Sequence, residues 1–229
     1  MSFRKILKAP NWQYAIGEIL LLFIGITAAI WFNNWNEHQK ANRIETKTLI
    51  ELKEAITKDM LDVEENILGF KNRVEVYHIM LDHLEKHKPL SDTLQNLFPY
   101  LQGLTTFLSN SGPYETLKSR GLEIITNDSI RLKISGYYDL GYEHIHSNEI
   151  EHHQHYRLYI KPKLMQHFSL KDYRLLPLDY EALKADFEFI QIIYWARRTD
   201  SFMLDIYEKM YLTGTDLLKN LEEEIKRLK

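Results

Sequence analysis

An apolar stretch near the start of the chain constrains the fold more than any other sequence feature. Nineteen residues, 14–32, contain a single charge, Glu18, and ten of them are Leu, Ile or Phe. As a helix this stretch would be about 28 Å long, close to the thickness of a bilayer's hydrocarbon core. The large apolar side chains favour insertion by about 3–6 kcal/mol, whereas a central acidic residue costs about 2.5–3.5 kcal/mol. Because Glu18 lies only one turn into the stretch, insertion is favoured.

The flanks of the stretch favour a retained anchor over a cleaved signal peptide. Aromatic residues at both ends resemble the interfacial belts of membrane helices: Trp12, Tyr14, Trp31 and Trp35. A signal peptide has an apolar region of about 7–15 residues followed by small residues, whereas here the run is longer and IWFNNW follows it. The sequence therefore predicts a transmembrane helix over residues 12–35. A cleaved signal and a buried helix of a soluble protein are the alternatives.

The distribution of basic residues predicts the orientation of this helix. Arg4, Lys5 and Lys8 lie close before the span, whereas the basic residues after it are more widely spaced. The positive-inside rule then predicts a cytoplasmic N-terminus at 1–11 and places the bulk of the chain, 36–229, outside the cytoplasm. In a bacterium with two membranes, the span would lie in the inner membrane and the bulk of the chain in the periplasm. The chain has no cysteine, which fits that compartment and leaves no cysteine for a lipid anchor.

Two blocks of the sequence carry a resemblance to a family. The first is YAIGEI, then GI and NNWNE, within residues 14–37; the second is YETLKSRG at 114–121, then Ile125, Asn127 and YY at 137–138. The first block, and more loosely the second, resembles a family of small, uncharacterised single-span membrane proteins from Bacteroidota. This resemblance implies topology and lineage. It implies no activity and carries over no catalytic residue.

Beyond the span, a heptad repeat predicts a long helix. One apolar series recurs every seven residues, and a second series lies between its members, as in coiled coils. The first series is Leu49, Ile56, Val63, Phe70, Tyr77 and Leu84, and the second is Met60, Ile67, Val74 and Leu81. The pattern predicts a helix over 38–87 and allows it to continue directly from the span. Packing within one chain and packing in a homo-oligomeric coiled coil both fit it.

The remaining sequence predicts further helices and no sheet. Only nine Gly and six Pro occur in 229 residues, too few for the many turns of an all-β chain. Two or three short helices are expected in 89–127. A long helix is expected over 128–161, bent or stopped at Pro162, and another over 179–228, broken near Asp186, with a loop at 162–177 between them. We therefore predict an all-α fold: an N-terminal transmembrane helix followed by an antiparallel bundle of three long helices with a short-helix cap.

Two sets of residues are predicted to make contacts in or at the membrane. In an antiparallel bundle the second helix returns toward the lipid, so the following turn would touch the membrane surface through basic residues: Lys161, Lys163, Lys171 and Arg174.

Within the span, small residues and one acid predict lateral association with another helix: Gly17, Glu18, Gly25 and Ala29. Snorkelling of Glu18 to the headgroups is the alternative. The expected partners are the bilayer and a second copy or another membrane protein.

Histidine supplies the best candidates for metal ligands. Five of the ten His residues lie between His144 and His155, and the Glu-x-x-His spacing of di-iron bundles occurs three times in the chain. In an antiparallel bundle those pairs would lie at different levels, which argues against a di-metal centre. A simpler metal or pH-dependent site has the candidates His144, Glu151, His152 and His155. A hydrated polar face is the alternative interpretation, and no cofactor is predicted.

The sequence contains no pattern that predicts catalysis. It has no cysteine, no G-x-S-x-G and no glycine-rich phosphate loop, and its net charge of −3 provides no basic field for nucleic acid. Arg197 and Asp200 are expected to form an internal ion pair. We expect a non-catalytic interaction or scaffold protein of the cell envelope. A sensing domain that signals through a membrane partner, or a metal-binding bundle, are the alternatives.

Overall fold

Most of the described chain is helical, as the sequence predicts. A computed structural model describes residues 12–229, and helices make up 84% of the structure. The predicted cytoplasmic segment, 1–11, lies outside the described residues. The chain divides into two units, one that ends at Lys47 and one of Thr48–Lys229.

Eight α-helices and two strands are present in the described residues. In chain order they are α1 Trp12–Glu85, α2 Asp92–Gln95, α3 Gly112–Arg120, α4 Asp128–Ser135, α5 Tyr142–His155, α6 Lys161–His167, β1 Phe168–Lys171, β2 Arg174–Pro177, α7 Tyr180–Ala185 and α8 Phe187–Leu228. Short 3-10 helices lie at Phe98–Gln102 and Leu122–Ile124, and two π-helical segments at Gly136–Gly141 and Tyr156–Ile160. The predicted break near Asp186 is confirmed, since Asp186 separates α7 from α8 and caps the N-terminus of α8.

The heptad of α1 marks its buried face, as predicted. Every member of the first series, from Leu49 to Leu84, is at most 2% exposed. In the second series Met60 and Leu81 are buried, and the other two members are half-buried. Side chains of the later helices cover this face, so the repeat packs within one chain.

The apolar stretch of α1 has a different environment. None of an 18-residue apolar window in this helix is buried, and side chains such as Leu21 and Phe23 are exposed. By length and composition this is the one helix in the described residues that could cross a membrane. A helix from the core of a soluble protein would be covered by its own chain. The alternative that the apolar stretch is a buried helix of a soluble protein is therefore disfavoured. The choice between a retained anchor and a cleaved signal stays a prediction.

The predicted second long helix is a continuous helical course made of α and π parts. It begins at α4, where the Asn127 side chain accepts hydrogen bonds from the N–H groups of Ser129 and Ile130. The two π segments separate α4, α5 and α6. Pro162, where the sequence predicts a bend or a stop, does not stop the helix, because it lies within the first turn of α6. The helix therefore continues to His167.

A small hairpin replaces part of the predicted loop at 162–177. Strands β1 and β2 pair antiparallel with Lys171 opposite Arg174. The two residues between them, Asp172 and Tyr173, have φ of 49° and 62°, as a type I′ turn requires. Phe168 is buried on β1 and Leu175 on β2, so one apolar side chain from each strand ties the hairpin to the core. The expectation of no sheet is wrong for these eight residues.

Helices α1 and α8 run antiparallel, and this corrects the prediction, because three successively antiparallel helices would leave the first and the third parallel. An ion pair joins Lys53 Nζ to Glu222 Oε1 at 2.7 Å. Farther along α1, Lys71 Nζ pairs with Glu208 Oε1 at 2.8 Å. Because partner numbers fall along α8 as they rise along α1, the two chain directions are opposite.

The predicted antiparallel course of the second helix is wrong. Asp59 of α1 accepts a hydrogen bond from Tyr142 at the start of α5. Farther along α1, Phe70 packs edge-on against His152, near the end of α5, with ring centroids 5.7 Å apart. Both residue numbers rise together, so α5 runs parallel to α1.

The segment between α1 and α4 makes this parallel course possible. It returns along α1 in an extended form over residues 103–111, and does not simply cap one end. The N–H of Leu108 donates to Asp62 Oδ2 at 3.1 Å, and the N–H of Asn110 donates to Asp59 Oδ1 at 2.8 Å. Nine extended residues span up to about 30 Å, which is enough for such a return.

The unit of Thr48–Lys229 contains two apolar clusters. The first core includes Leu49, Ile56, Phe70, Tyr114, Tyr137, Ile145 and Tyr207. The second core includes Tyr77, Leu84, Phe98, Leu164, Phe168, Leu175 and Phe189. The 162–177 turn thus packs around the Leu84 end of α1. Its predicted contact with the membrane was inferred from an antiparallel second helix and loses that basis.

Candidate functional site

Four carboxylates are buried in this unit, one of them Glu224 near the end of α8. Asp59, Glu149 and Asp200 are at most 4% exposed. Removing a carboxylate from water costs several kcal/mol unless hydrogen bonds or an opposite charge compensate. The groups around each carboxylate therefore reveal what the interior is built to hold.

Asp200 lies between the two cores and joins three helices. Its Oδ2 accepts from Arg73 Nε of α1 at 2.6 Å, and its Oδ1 lies 2.6 Å from His152 Nε2 of α5. The predicted pair with Arg197 is wrong, since that guanidinium lies over the Tyr194 ring at 5.4 Å. Arg73 is the partner that the sequence did not indicate, because it lies between apolar heptad positions. Arg73 and His152 occupy both carboxylate oxygens of Asp200, so we assign Asp200 a structural role.

Glu149 of α5 is held by neutral donors. Tyr207 donates its hydroxyl proton to Oε1 at 2.5 Å, and the N–H of Phe107 donates to the same oxygen at 2.7 Å. Burial, followed by the bond to Glu149, raises the pKa of Tyr207 well above its usual value. The phenol therefore remains a donor, and no cation neutralises this carboxylate among its hydrogen-bond partners in the described residues.

Asp59 of α1 has the same kind of environment. It accepts from the hydroxyls of Tyr142 and Tyr137, the latter at 3.2 Å, and from the backbone and side-chain N–H groups of Asn110. Burial is the main cause that raises the pKa of both tyrosines, and the nearby carboxylate adds to it. Together, Asp59 and Glu149 fix the return segment 103–111 to the helices.

A cavity of about 320 Å³ lies between this return segment and the first π segment with α5. Its lining residues are Phe107, Ser109, Tyr138, Asp139, Tyr142, Glu143, Ile145, His146 and Glu149. The volume is at the lower end of the range of about 300–1,000 Å³ typical of small-molecule pockets. Two lining residues belong to the π segment itself, and π segments inside α-helices frequently occur at functional sites. Sequence reasoning missed this site, because its residues are far apart in the chain.

The predicted metal candidates do not come together. His144 and Glu151 are exposed, whereas His152 is buried and contacts Asp200. His155 is half-buried, and burial, followed by the neighbouring His152, lowers its pKa. Among the described residues no group of three or more His, Asp or Glu side chains is arranged to hold a metal ion.

The predicted association face of the span is open in the single chain. Glu18, Gly25 and Ala29 are exposed, and Gly17 is half-exposed. A Cβ added at either glycine would meet no atom within 4 Å. The predicted belt residues Trp12, Trp31 and Trp35 are also exposed, and the side chain of Tyr14 lies outside the described residues.

The four basic residues predicted at the membrane-surface turn have two different environments. Lys163 is engaged by Asp186 and Glu188, each at 2.8 Å. The other three residues are exposed: Lys161, Lys171 and Arg174. Lys163 therefore has a structural role within the chain.

These features define a helical protein with one candidate membrane-spanning helix and a cavity in its larger unit. The chain belongs to a family described as a family of unknown function, DUF6090, whose model matches residues 18–192. This agrees with the predicted resemblance to an uncharacterised family. No curated protein and no solved structure matches the chain.

Proposed function

We propose that the protein is a membrane-anchored, non-catalytic interaction protein of the bacterial cell envelope. Its N-terminus is cytoplasmic and its larger unit periplasmic. Its partners are the bilayer and, through the span, a second copy or another membrane protein. The observation that carries the proposal is that no part of the described chain, residues 12–229, covers the apolar window of α1.

The environment of α1 supports an anchor in lipid. Uncovered apolar side chains surround the helix over residues 16–32, while its heptad portion has one buried face. A surface that is apolar all round is unfavourable in water and favourable in hydrocarbon. Intact-mass analysis of membrane-extracted protein should find the span present. A chain that begins after residue 28 would instead identify a cleaved signal.

Cysteine labelling tests the orientation, since the natural chain has no cysteine. Lys229→Cys should react with a membrane-impermeant maleimide in cells whose outer membrane has been permeabilised. Ser2→Cys, the matched control, should react only after the inner membrane is disrupted. The opposite pattern would reverse the orientation.

Crosslinking within the membrane tests the proposed partner contact. Replacing Glu18 with Leu and Gly25 with Ile removes a polar group and fills the close-approach face, so crosslinking should decrease. Phe23→Leu, a matched change on the opposite side of the helix, should leave it unchanged. Equal crosslinking of the natural protein, the variant with both replacements and Phe23→Leu would indicate that Glu18 snorkels to the headgroups.

The buried polar groups support a non-catalytic role. The donors and acceptors around Asp59 and Asp200 bind one another and tie helices together.

The cavity favours a second candidate function, a periplasmic sensing domain that signals through a membrane partner. Saturable binding of a small molecule in the cavity would support that function.

A further inference from the structure

We propose that the cavity beside the first π segment binds a small organic cation, an alkylammonium group about the size of choline. This deepens the second candidate function, the sensing role, by giving the cavity a ligand class. Three properties of the lining carry the inference: its charge, its aromatic walls and its unpaired hydroxyl.

The charge of the lining is predominantly negative. Asp139, Glu143 and Glu149 are acidic, and His146 is the one lining residue that can be basic. Glu149 receives hydrogen bonds only from neutral donors among the described residues. A partly enclosed, low-dielectric cleft concentrates the field of such groups and attracts ions of opposite charge.

A surface lysine offsets only one of these acids. Lys118 Nζ lies 3.5 Å from Asp139 Oδ1, and the same lysine lies 3.7 Å from Glu115 Oε1. Asp139 also accepts from the Tyr114 hydroxyl at 2.6 Å. Glu143 and Glu149 have no such cation in the described ion pairs, so the cavity favours a positive guest over an anion.

Aromatic rings form the apolar part of the wall. Phe107 and Tyr142 pack edge to face with centroids 5.1 Å apart, and Tyr138 and Tyr142 do so at 5.0 Å. Ring faces attract cations, and cages of such rings recognise alkylated ammonium groups, which are too apolar at their surface for a carboxylate alone. Rings and carboxylates together distinguish an organic cation from a hydrated metal ion.

The Tyr138 hydroxyl adds a polar group that the protein does not satisfy. Tyr138 is 4% exposed, and its hydroxyl has no hydrogen-bond partner among the described residues. Buried polar groups are nearly always paired in folded proteins, so an unpaired one in a cavity lining calls for a partner. A ligand with a hydroxyl or ammonium group beside its alkyl groups would supply it.

Calorimetry on the full-length protein in an uncharged detergent tests the inference. The probe is choline, and its control is 3,3-dimethylbutan-1-ol, which has the same shape without the charge. Both probes are measured at pH 8 in the same buffer. Choline should bind saturably and the alcohol should bind at least tenfold more weakly. Equal binding of the two, or no saturable binding of choline up to tens of millimolar, would overturn the proposal.

Variants of the lining locate the binding. Glu143→Gln changes an exposed side chain, so folding is retained, and should weaken choline binding about fivefold through the lost charge. Phe107→Leu should weaken choline binding by about 2- to 30-fold, because it removes an aromatic ring from the lining. Glu151→Gln removes an equal charge from the same helix outside the lining and should leave binding unchanged. If Glu143→Gln and Glu151→Gln bind choline equally well, the cavity is not the binding site of choline.

The readout separates this proposal from the others. Direct binding requires neither the membrane span nor a signalling partner. Failure of binding would therefore remove the ligand and leave the anchoring proposal standing, while failure of the extraction and labelling experiments would leave binding unaffected.

Discussion

The two cores of the larger unit hold their carboxylates in different ways. In the first core, Asp59 and Glu149 accept hydrogen bonds from tyrosine hydroxyls and amide N–H groups, without a cationic donor among the described residues. At the second core, Asp186 contacts Lys163 at 2.8 Å and His167 at 2.6 Å. One region fixes negative charge with dipoles, and the other neutralises it with the ammonium group of Lys163.

This difference shows what each region is suited to do. A carboxylate fixed by dipoles retains its field in the neighbouring cavity, whereas one paired with a cation presents little net charge. The neutral arrangement also orders an extended segment, because backbone N–H groups supply part of the hydrogen bonding. The ion-paired arrangement instead fixes the start of α8 against α6.

The largest effect is expected at Asp200, where the two regions meet. Asp200→Asn leaves the buried Arg73 guanidinium without its counter-charge and should lower the free energy of unfolding by about 3–5 kcal/mol. Urea denaturation of the detergent-solubilised chain, followed by circular dichroism, measures the change. Glu208→Gln is the same change in an exposed pair of α8 and should cost at most about 1 kcal/mol. Equal losses would show that burial does not control the cost.

A smaller loss is expected when a neutral donor of the first core is removed. Tyr207→Phe deletes the hydroxyl that binds Glu149, and hydrogen bonds to charged groups contribute about 1.5–3 kcal/mol. The control is Tyr194→Phe, whose hydroxyl binds Glu85 at the surface at 2.5 Å. That variant should change the free energy of unfolding by less than about 0.5 kcal/mol in the same denaturation experiment. An unchanged stability of Tyr207→Phe would mean that dipoles are not needed to hold Glu149.

The smallest effect is expected at Asp186, and it depends on pH. Burial tends to raise the pKa of Asp186, but hydrogen bonds from Lys163, Phe189 N–H and His167 outweigh it and lower the pKa from 3.8 to about 2. A pKa depressed by folding stabilises the protein above the unfolded value, and the stabilisation is lost as pH falls from about 5 to about 2. Asp186→Asn keeps an N-cap residue and should cost about 1–2 kcal/mol at pH 7.

The pH dependence distinguishes loss of the charge from loss of the cap. The stability difference between the natural protein and Asp186→Asn should shrink as pH is lowered from 5 to 2. Asp179→Asn changes the corresponding cap of α7 and serves as the control. A difference for Asp186→Asn that is constant across this range would indicate a packing effect and contradict the ion-pair interpretation.

The buried face of α1 could be predicted from sequence, because a seven-residue apolar repeat directly records a helix that packs along its length. The break before α8 could also be predicted, since Asp at an N-cap has a local hydrogen-bonding cause. Both features depend on neighbours in the sequence. The predicted helical content followed from the same local signals.

The direction of the second helix and the cavity could not be predicted in this way. The course of residues 103–111 is fixed by hydrogen bonds to Asp59, Asp62 and Glu149, which come from two other helices. No periodicity marks such contacts. Arg73 was missed for the same reason, because its partner lies 127 residues away.

The parallel placement of α1 and α5 has a consequence for how the protein folds. In a helical hairpin bundle, neighbouring helices are also neighbours in sequence, so their contacts form early and quickly. Here Asp59 meets Tyr142 across 83 residues and Arg73 meets Asp200 across 127. Folding rates fall as the sequence separation of contacting residues rises, since longer loops must close before any contact is gained. This chain should therefore fold more slowly than an up-and-down bundle of equal length, with the first core completed only after α8 has been synthesised.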